Sequence, residues 1–153
     1  MHPIARWLFS GAVSALLCAC ATAAPNYSMD DFAKVRKLDA HVHDNVTDGV
    51  FLEQARADNF ELMSINVDYP DFPKLSDQRA AAVTQLAADP ARFHWATTFS
   101  MQGFGDADWA SKVNASLAAD AKRGAKAVKI WKNVGMSERD ASGKLIFLDN
   151  PAF

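Results

Sequence analysis

The sequence predicts an α/β fold with a parallel sheet. Three observations lead there. Short apolar, β-rich runs alternate with helical patterns along the chain. The connections are long enough to cross between parallel strands. Each run ends in a polar loop, and the first ends in His41-Val42-His43. The chain has 153 residues, 50% hydrophobic and 22% charged, an ordinary globular composition without low-complexity tracts or short repeats. A net charge of -2 gives no basic footprint for nucleic acid.

Residues 1–23 read as a signal peptide. His2 and Arg6 form a weakly basic start, residues 7–19 an apolar run too short to span a membrane, and Ala21-Thr22-Ala23 a small-x-small cleavage site. Leu17-Cys18-Ala19-Cys20 also resembles a lipobox, which would make Cys20 a lipid anchor. Export is expected, to the periplasm or to the envelope through that lipid. Both cysteines fall in this leader, so the domain at 24–153 has no disulfide or thiol chemistry.

The first strand is placed at 35–42. On a strand, side chains at i and i+2 share a face, so His41 and His43 project together. Two neutral imidazoles make half of a zinc-like site, with Asp39 and Asp44 near enough to orient a ring N–H. An H-x-H can equally be two ordinary polar residues, since the ligand logic needs partners elsewhere. Thr47 or Asp48 is placed as the cap of a helix over 50–56 with Phe51, Leu52 and Ala55 inward.

A second strand is expected at 62–69, stopped by Pro70 and Pro73. Ser76 caps a helix over 77–88, with Ala80, Val83, Leu86 and Ala87 as its buried face. A third strand follows at 92–101. Asp106 then caps a long helix on which Trp109, Val113, Leu117 and Ala121 recur every four residues, and Gly124 sits where a left-handed stop belongs. Residues 125–131 read as a fourth strand and 132–144 as a polar loop. Asp149-Asn150-Pro151 looks like the start of a further helix.

The motif Leu38-Asp39-Ala40-His41-Val42-His43, with Gly124-Ala125-Lys126-Ala127-Val128-Lys129-Ile130-Trp131, resembles the amidohydrolase superfamily of metal-dependent hydrolases. The nearest branch holds aminocarboxymuconate-semialdehyde decarboxylase and related lactone hydrolases. The resemblance covers residues 34–153 and implies a partial (β/α)8 TIM barrel, its first four strand–helix units. A whole barrel takes about 250 residues. The expectation is therefore an N-terminal part of such an enzyme, truncated at the C-terminus.

By that resemblance His41 and His43 match the first two metal ligands, and Lys129 the lysine that bridges two metals in binuclear members. Lys129 has a second reading, as a strand lysine paired with a carboxylate or closing over substrate. Asp68, Trp131 and Lys132 are candidate substrate-binding residues; His94, at the start of its strand, is structural. The family's later histidines and its aspartate base have no counterpart here, so no catalytic residue is assigned and the chain alone is expected to be inactive. The implied cofactor is a divalent metal of the zinc type, and the implied partner a small molecule with an ester, lactone or amide bond. A decarboxylase of the same branch is one alternative. Another is a non-catalytic envelope protein that binds metal weakly or self-associates.

Overall fold

The structure is a computed structural model and describes residues 26–153. Residues 1–23, expected to be a signal peptide, and Cys20 with them, lie outside the described residues. The chain divides into two units between Asp31 and Phe32. In the first, Met29–Asp31 is a 3-10 turn in which the Asp31 carboxylate accepts the Ser28 backbone N–H and hydroxyl, at 3.0 and 2.8 Å.

The second unit alternates strand and helix: β1 (Lys37–Val42), α1 (Val50–Ala57), β2 (Phe60–Ile65), α2 (Leu75–Ala88), β3 (Phe93–Thr97), α3 (Trp109–Lys122) and β4 (Ala127–Val128). The strands form one curled sheet in the order β1-β2-β3-β4, every pair parallel. The parallel α/β architecture is the one expected from the sequence pattern.

β2 and β3 are covered on both faces, as parallel strands between apolar layers should be. On the helix side Leu52 and Ala55 of α1 and Ala82 of α2 pack with Leu62, Phe93 and Trp95. On the other side Ile65, Val67 and Ala96 pack with Met63, Phe72 and Trp131. A third cluster joins Met101, Trp109 and Ile146 beyond the strand ends.

Several elements differ from the sequence reading, each for a local reason. β2 begins at Phe60 and ends at Ile65, because the N–H and C=O of Val67 are taken by the Gln78 side chain rather than by a strand. β3 ends at Thr97, since the Thr98 carbonyl accepts from Arg79. β4 keeps only two residues, although the Lys129 N–H still reaches the Thr97 carbonyl at 2.7 Å. Neither Ser76 nor Asp106 caps a helix through its side chain. α2 starts on the Lys74 carbonyl, which accepts the Asp77 and Gln78 N–H groups, and α3 starts at Trp109. Gly49 holds the N-cap position of α1, but Asp48 still accepts the Val50 N–H at 3.2 Å. Phe51 is exposed, so α1 turns Leu52 and Ala55 inward without it. Residues 149–152 form a turn, not a helix, with Asn150 accepting the Ala152 N–H.

The buried faces of α2 and α3 are also rotated from the expected stripes. Ala80, Ala87 and Ala121 are exposed, while Gln78, Gln85 and Asp120 are buried. A buried polar side chain is tolerable only when its partners are in place. For Asp120 they are. Arg79 Nε donates to its Oδ2 at 2.6 Å, the Thr97 hydroxyl donates to the same oxygen, and Arg123 lies 3.6 Å from Oδ1. Arg79 also donates to the Thr98 carbonyl and to the Ser116 hydroxyl. The cluster ties α2, β3 and α3 together.

Gly124 ends α3 with φ +102°, and a Cβ there would lie 2.5 Å from Leu86 Cδ2. An L-residue pays for that left-handed backbone and displaces Leu86. Gly124→Ala is expected to lower stability by about 1–3 kcal/mol. Urea unfolding measures this, as a fall in midpoint at constant slope.

Residues 132–148 close back on themselves through a single antiparallel bridge between Arg139 and Leu145. Asp140 organises the tip. Its Oδ1 accepts the Ser142 hydroxyl and the Ser142 and Lys144 N–H groups, and these bonds hold the carboxyl below its usual pKa of 3.8. A carboxyl lowered on folding favours the folded turn above the unfolded pKa and loses that contribution as pH falls through the folded value. Amide exchange at Ser142 and Lys144, corrected for intrinsic rates, should therefore become less protected on acidification below about pH 4, and Asp140→Asn should abolish that change.

Candidate metal centre

Strict alternation along β1 would put Asp39, His41 and His43 on one face. The structure separates them with a β-bulge. Asp39 pairs with Leu62, but Val42 pairs with Ser64, so β1 carries one residue more than β2 between these points. Asp39 therefore stays on the helix side, lining a cleft with Phe51, Gln54 and Leu62. Val42 also packs on the helix side. His41 and His43, flanking Val42, are delivered to the opposite face at the C-terminal end of the strand. Bulges recur beside functional sites because they re-aim a side chain in this way.

The two Nε2 atoms lie 3.3 Å apart, with the rings inclined at 73°. At 3.3 Å one imidazole N–H can donate to the other ring, and the same separation is close to the roughly 3.3–3.4 Å that metal–nitrogen bonds of about 2.0–2.1 Å at a tetrahedral angle would require. His43 Nδ1 sits 2.7 Å from the Ile65 carbonyl. A carbonyl only accepts, so Nδ1 carries the proton, and in the neutral ring the Nε2 lone pair faces His41. That is the tautomer a metal ligand needs, with its other nitrogen held by a backbone acceptor.

For His43 the orienting group is thus a carbonyl, not one of the aspartates. Asp39 Oδ1 instead accepts the His41 backbone N–H at 3.0 Å. Asp44 is buried, its backbone N–H donating to the Ser64 hydroxyl at 3.1 Å. Burial pushes its carboxyl up, with the Asp48 charge adding and a bond from the Val46 N–H opposing.

Aromatic rings form the wall of the site. The His43 ring is 4.8 Å from Phe72 and 6.4 Å from Trp131, and Tyr69 lies 6.3 Å from Trp131. The ammoniums of Lys129 and Lys132 lie 5.9 and 5.3 Å from the Trp131 ring. Trp131 thus joins His43, Lys129 and Lys132 in one neighbourhood. Among the described residues no group of three or more His, Cys, Asp or Glu is arranged to hold a metal. His41 and His43 fit two positions of a metal site, and Lys129 would ligate only with its charge removed.

Asp68 belongs to a neighbouring cleft whose Tyr69 and Phe72 rings lie 6.3 and 6.2 Å from Trp131. It lines this cleft, of about 490 Å³, with Tyr69, Phe72, Lys74 and Glu138. Phe72, which also touches His43, is the common wall between this cleft and the histidine pair. His94 lies away from it, 4.0 Å from Glu61. Thr98 donates to the Lys129 carbonyl at 2.7 Å and so braces the approach to Trp131.

The sequence reading missed the residues that hold this end of the sheet. Gln85 Nε2 donates to the Val46 and Asp48 carbonyls, and Gln78 clasps Val67 and Pro73. The available signal was their spacing of seven on one helix, which puts both on the same face. No family model, curated protein or solved structure matches the chain.

Proposed function

We propose that this chain is the metal-binding part of an exported, metal-dependent hydrolase built on a (β/α)8 barrel of the amidohydrolase type. The carrying observation is the 3.3 Å separation of His41 Nε2 and His43 Nε2, with His43 Nδ1 held by the Ile65 carbonyl. The position supports it too, since barrel enzymes build their sites at the C-terminal ends of parallel strands.

His41 and His43 hold the metal as neutral imidazoles. When bound there, a divalent ion of the zinc type would supply Lewis-acid chemistry, polarising a carbonyl and activating water. Catalytic zinc takes three protein ligands and water, so the pair needs a further ligand, for which Lys129 in carbamylated form is the candidate on this chain. Phe72 and Trp131 exclude water from one side of the pair. Lys132 offers positive charge beside Trp131, suited to an anionic group on the substrate, and Asp68 lines the adjoining cleft. The bond cut is an ester, lactone or amide.

The test is titration of the full chain with cobalt(II), a spectroscopic stand-in for zinc. One ion per chain should bind, and the double variant His41→Ala, His43→Ala should weaken binding at least about 100-fold. Equal binding by the double variant overturns the assignment.

One observation favours a second reading, a non-catalytic, self-associating protein. Leu38, Val128 and Ile130, on or beside the two outer strands, are 62%, 48% and 41% exposed. Open edges with apolar side chains pair readily with other chains. Sedimentation velocity over a concentration series separates the readings: a monomer at every concentration removes the second.

A further inference from the structure

Gln78 is fully buried, yet every polar hydrogen and the acceptor of its amide are used. Oε1 accepts the Val67 N–H at 2.9 Å, and Nε2 donates to the Val67 carbonyl at 2.8 Å and to the Pro73 carbonyl at 2.6 Å. One helical side chain thereby clasps both ends of the loop at 68–72. Two residues before Val67, the Ile65 carbonyl receives His43 Nδ1–H. One residue before Pro73, the Phe72 ring packs 4.8 Å from the His43 ring. The two groups that fix His43, an acceptor and a ring face, thus flank or belong to the segment that Gln78 closes.

We infer that Gln78 is a positioning residue for His43, holding it through the 68–72 loop in the Nδ1–H tautomer with Nε2 turned toward His41. This rests on the proposed metal site for its purpose, but not for its test. A buried primary amide suits the task. It supplies two donors and an acceptor in one plane without bringing a charge beside the imidazoles. An apolar residue of similar volume would fill the space and leave Val67 and Pro73 unpaired. Gln85 cannot substitute, because its bonds go to Val46 and Asp48 in the other loop.

The experiment reads imidazole tautomers by long-range nitrogen–proton correlation on metal-free full chain at about pH 8, above the ordinary imidazole range of about 6.5. Wild type should show His43 almost wholly as the Nδ1–H form. Gln78→Met should raise the other tautomer to about a third or more. Leu52→Ala, a destabilised core control away from the loop, should leave His43 as in wild type. Phe72→Leu keeps the amide's bonds and removes only the ring, so it provides a second probe should Gln78→Met not fold, and it should shift the tautomer in the same direction. A single Nδ1–H tautomer in Gln78→Met, or in Phe72→Leu where that is the variant that folds, overturns the inference. So does an equal shift in Leu52→Ala. Cobalt titration of the same wild-type sample reports on the metal assignment separately, so failure of one is not read as failure of the other.

Discussion

Asp120→Ala is expected to lower the free energy of unfolding by about 3–5 kcal/mol. The aspartate side chain is 3% exposed and receives Arg79, Thr97 and, at longer range, Arg123. Removing it leaves the guanidinium of Arg79, whose side chain is only 16% exposed, without its carboxylate inside the structure. The loss exceeds that of an ordinary ion pair because the stranded charge cannot return to water without moving α2. The same arginine braces the Thr98 carbonyl, and Thr98 braces Lys129, so the damage extends toward the Trp131 end of the sheet. Chemical denaturation of the two proteins side by side gives the difference. A change below about 1 kcal/mol, the range of exposed ion pairs, would show that the cluster is solvated in solution.

The second large effect concerns metal-linked stability. A ligand that binds only the folded chain stabilises it by about 2.7 kcal/mol at a hundredfold excess over its dissociation constant. Zinc at that level, set from the wild-type titration, should raise the unfolding free energy of the full chain by this amount. His43→Ala should cancel nearly the whole increment, since it removes the imidazole whose tautomer and ring plane are already fixed by Ile65 and Phe72. His41→Ala should cancel most of it as well, because a single imidazole cannot chelate. Without metal the two variants should differ. His41 is exposed, so its loss should be within about 0.5 kcal/mol of neutral. His43 is half-buried against Phe72 and Trp131, and its loss should cost more. A zinc increment that survives in both variants would mean that the ion binds elsewhere.

The strand–helix alternation was legible because apolar runs and helix stops such as Gly124 are local signals. Where the sequence reading went astray, the deciding contact was distant. Gln78, Gln85 and Asp120 are polar, so periodicity assigns them to solvent. They are buried because Val67, Pro73, Val46, Asp48, Thr97 and Arg79 come to meet them from other elements. The ends of β2 and β3 were overrun for the same reason, since side chains capture the backbone groups at Val67 and Thr98 that a ladder would have used.

The histidine pair was legible from its i, i+2 spacing, but the way it reaches its face was not. The bulge between Asp39 and Val42 depends on the register against β2, which no local pattern encodes. It also turns Asp39 to the helix side, and the group that meets the His43 ring N–H is the Ile65 carbonyl.

The most direct test of the central claim is X-ray absorption at the zinc edge on the full chain loaded with one equivalent of zinc. The account predicts two imidazole nitrogens at about 2.0–2.1 Å, with the outer-shell scattering of their rings, and loss of that scattering in the His41→Ala, His43→Ala variant. A spectrum fitted by oxygen ligands alone, or one unchanged in the variant, would contradict it.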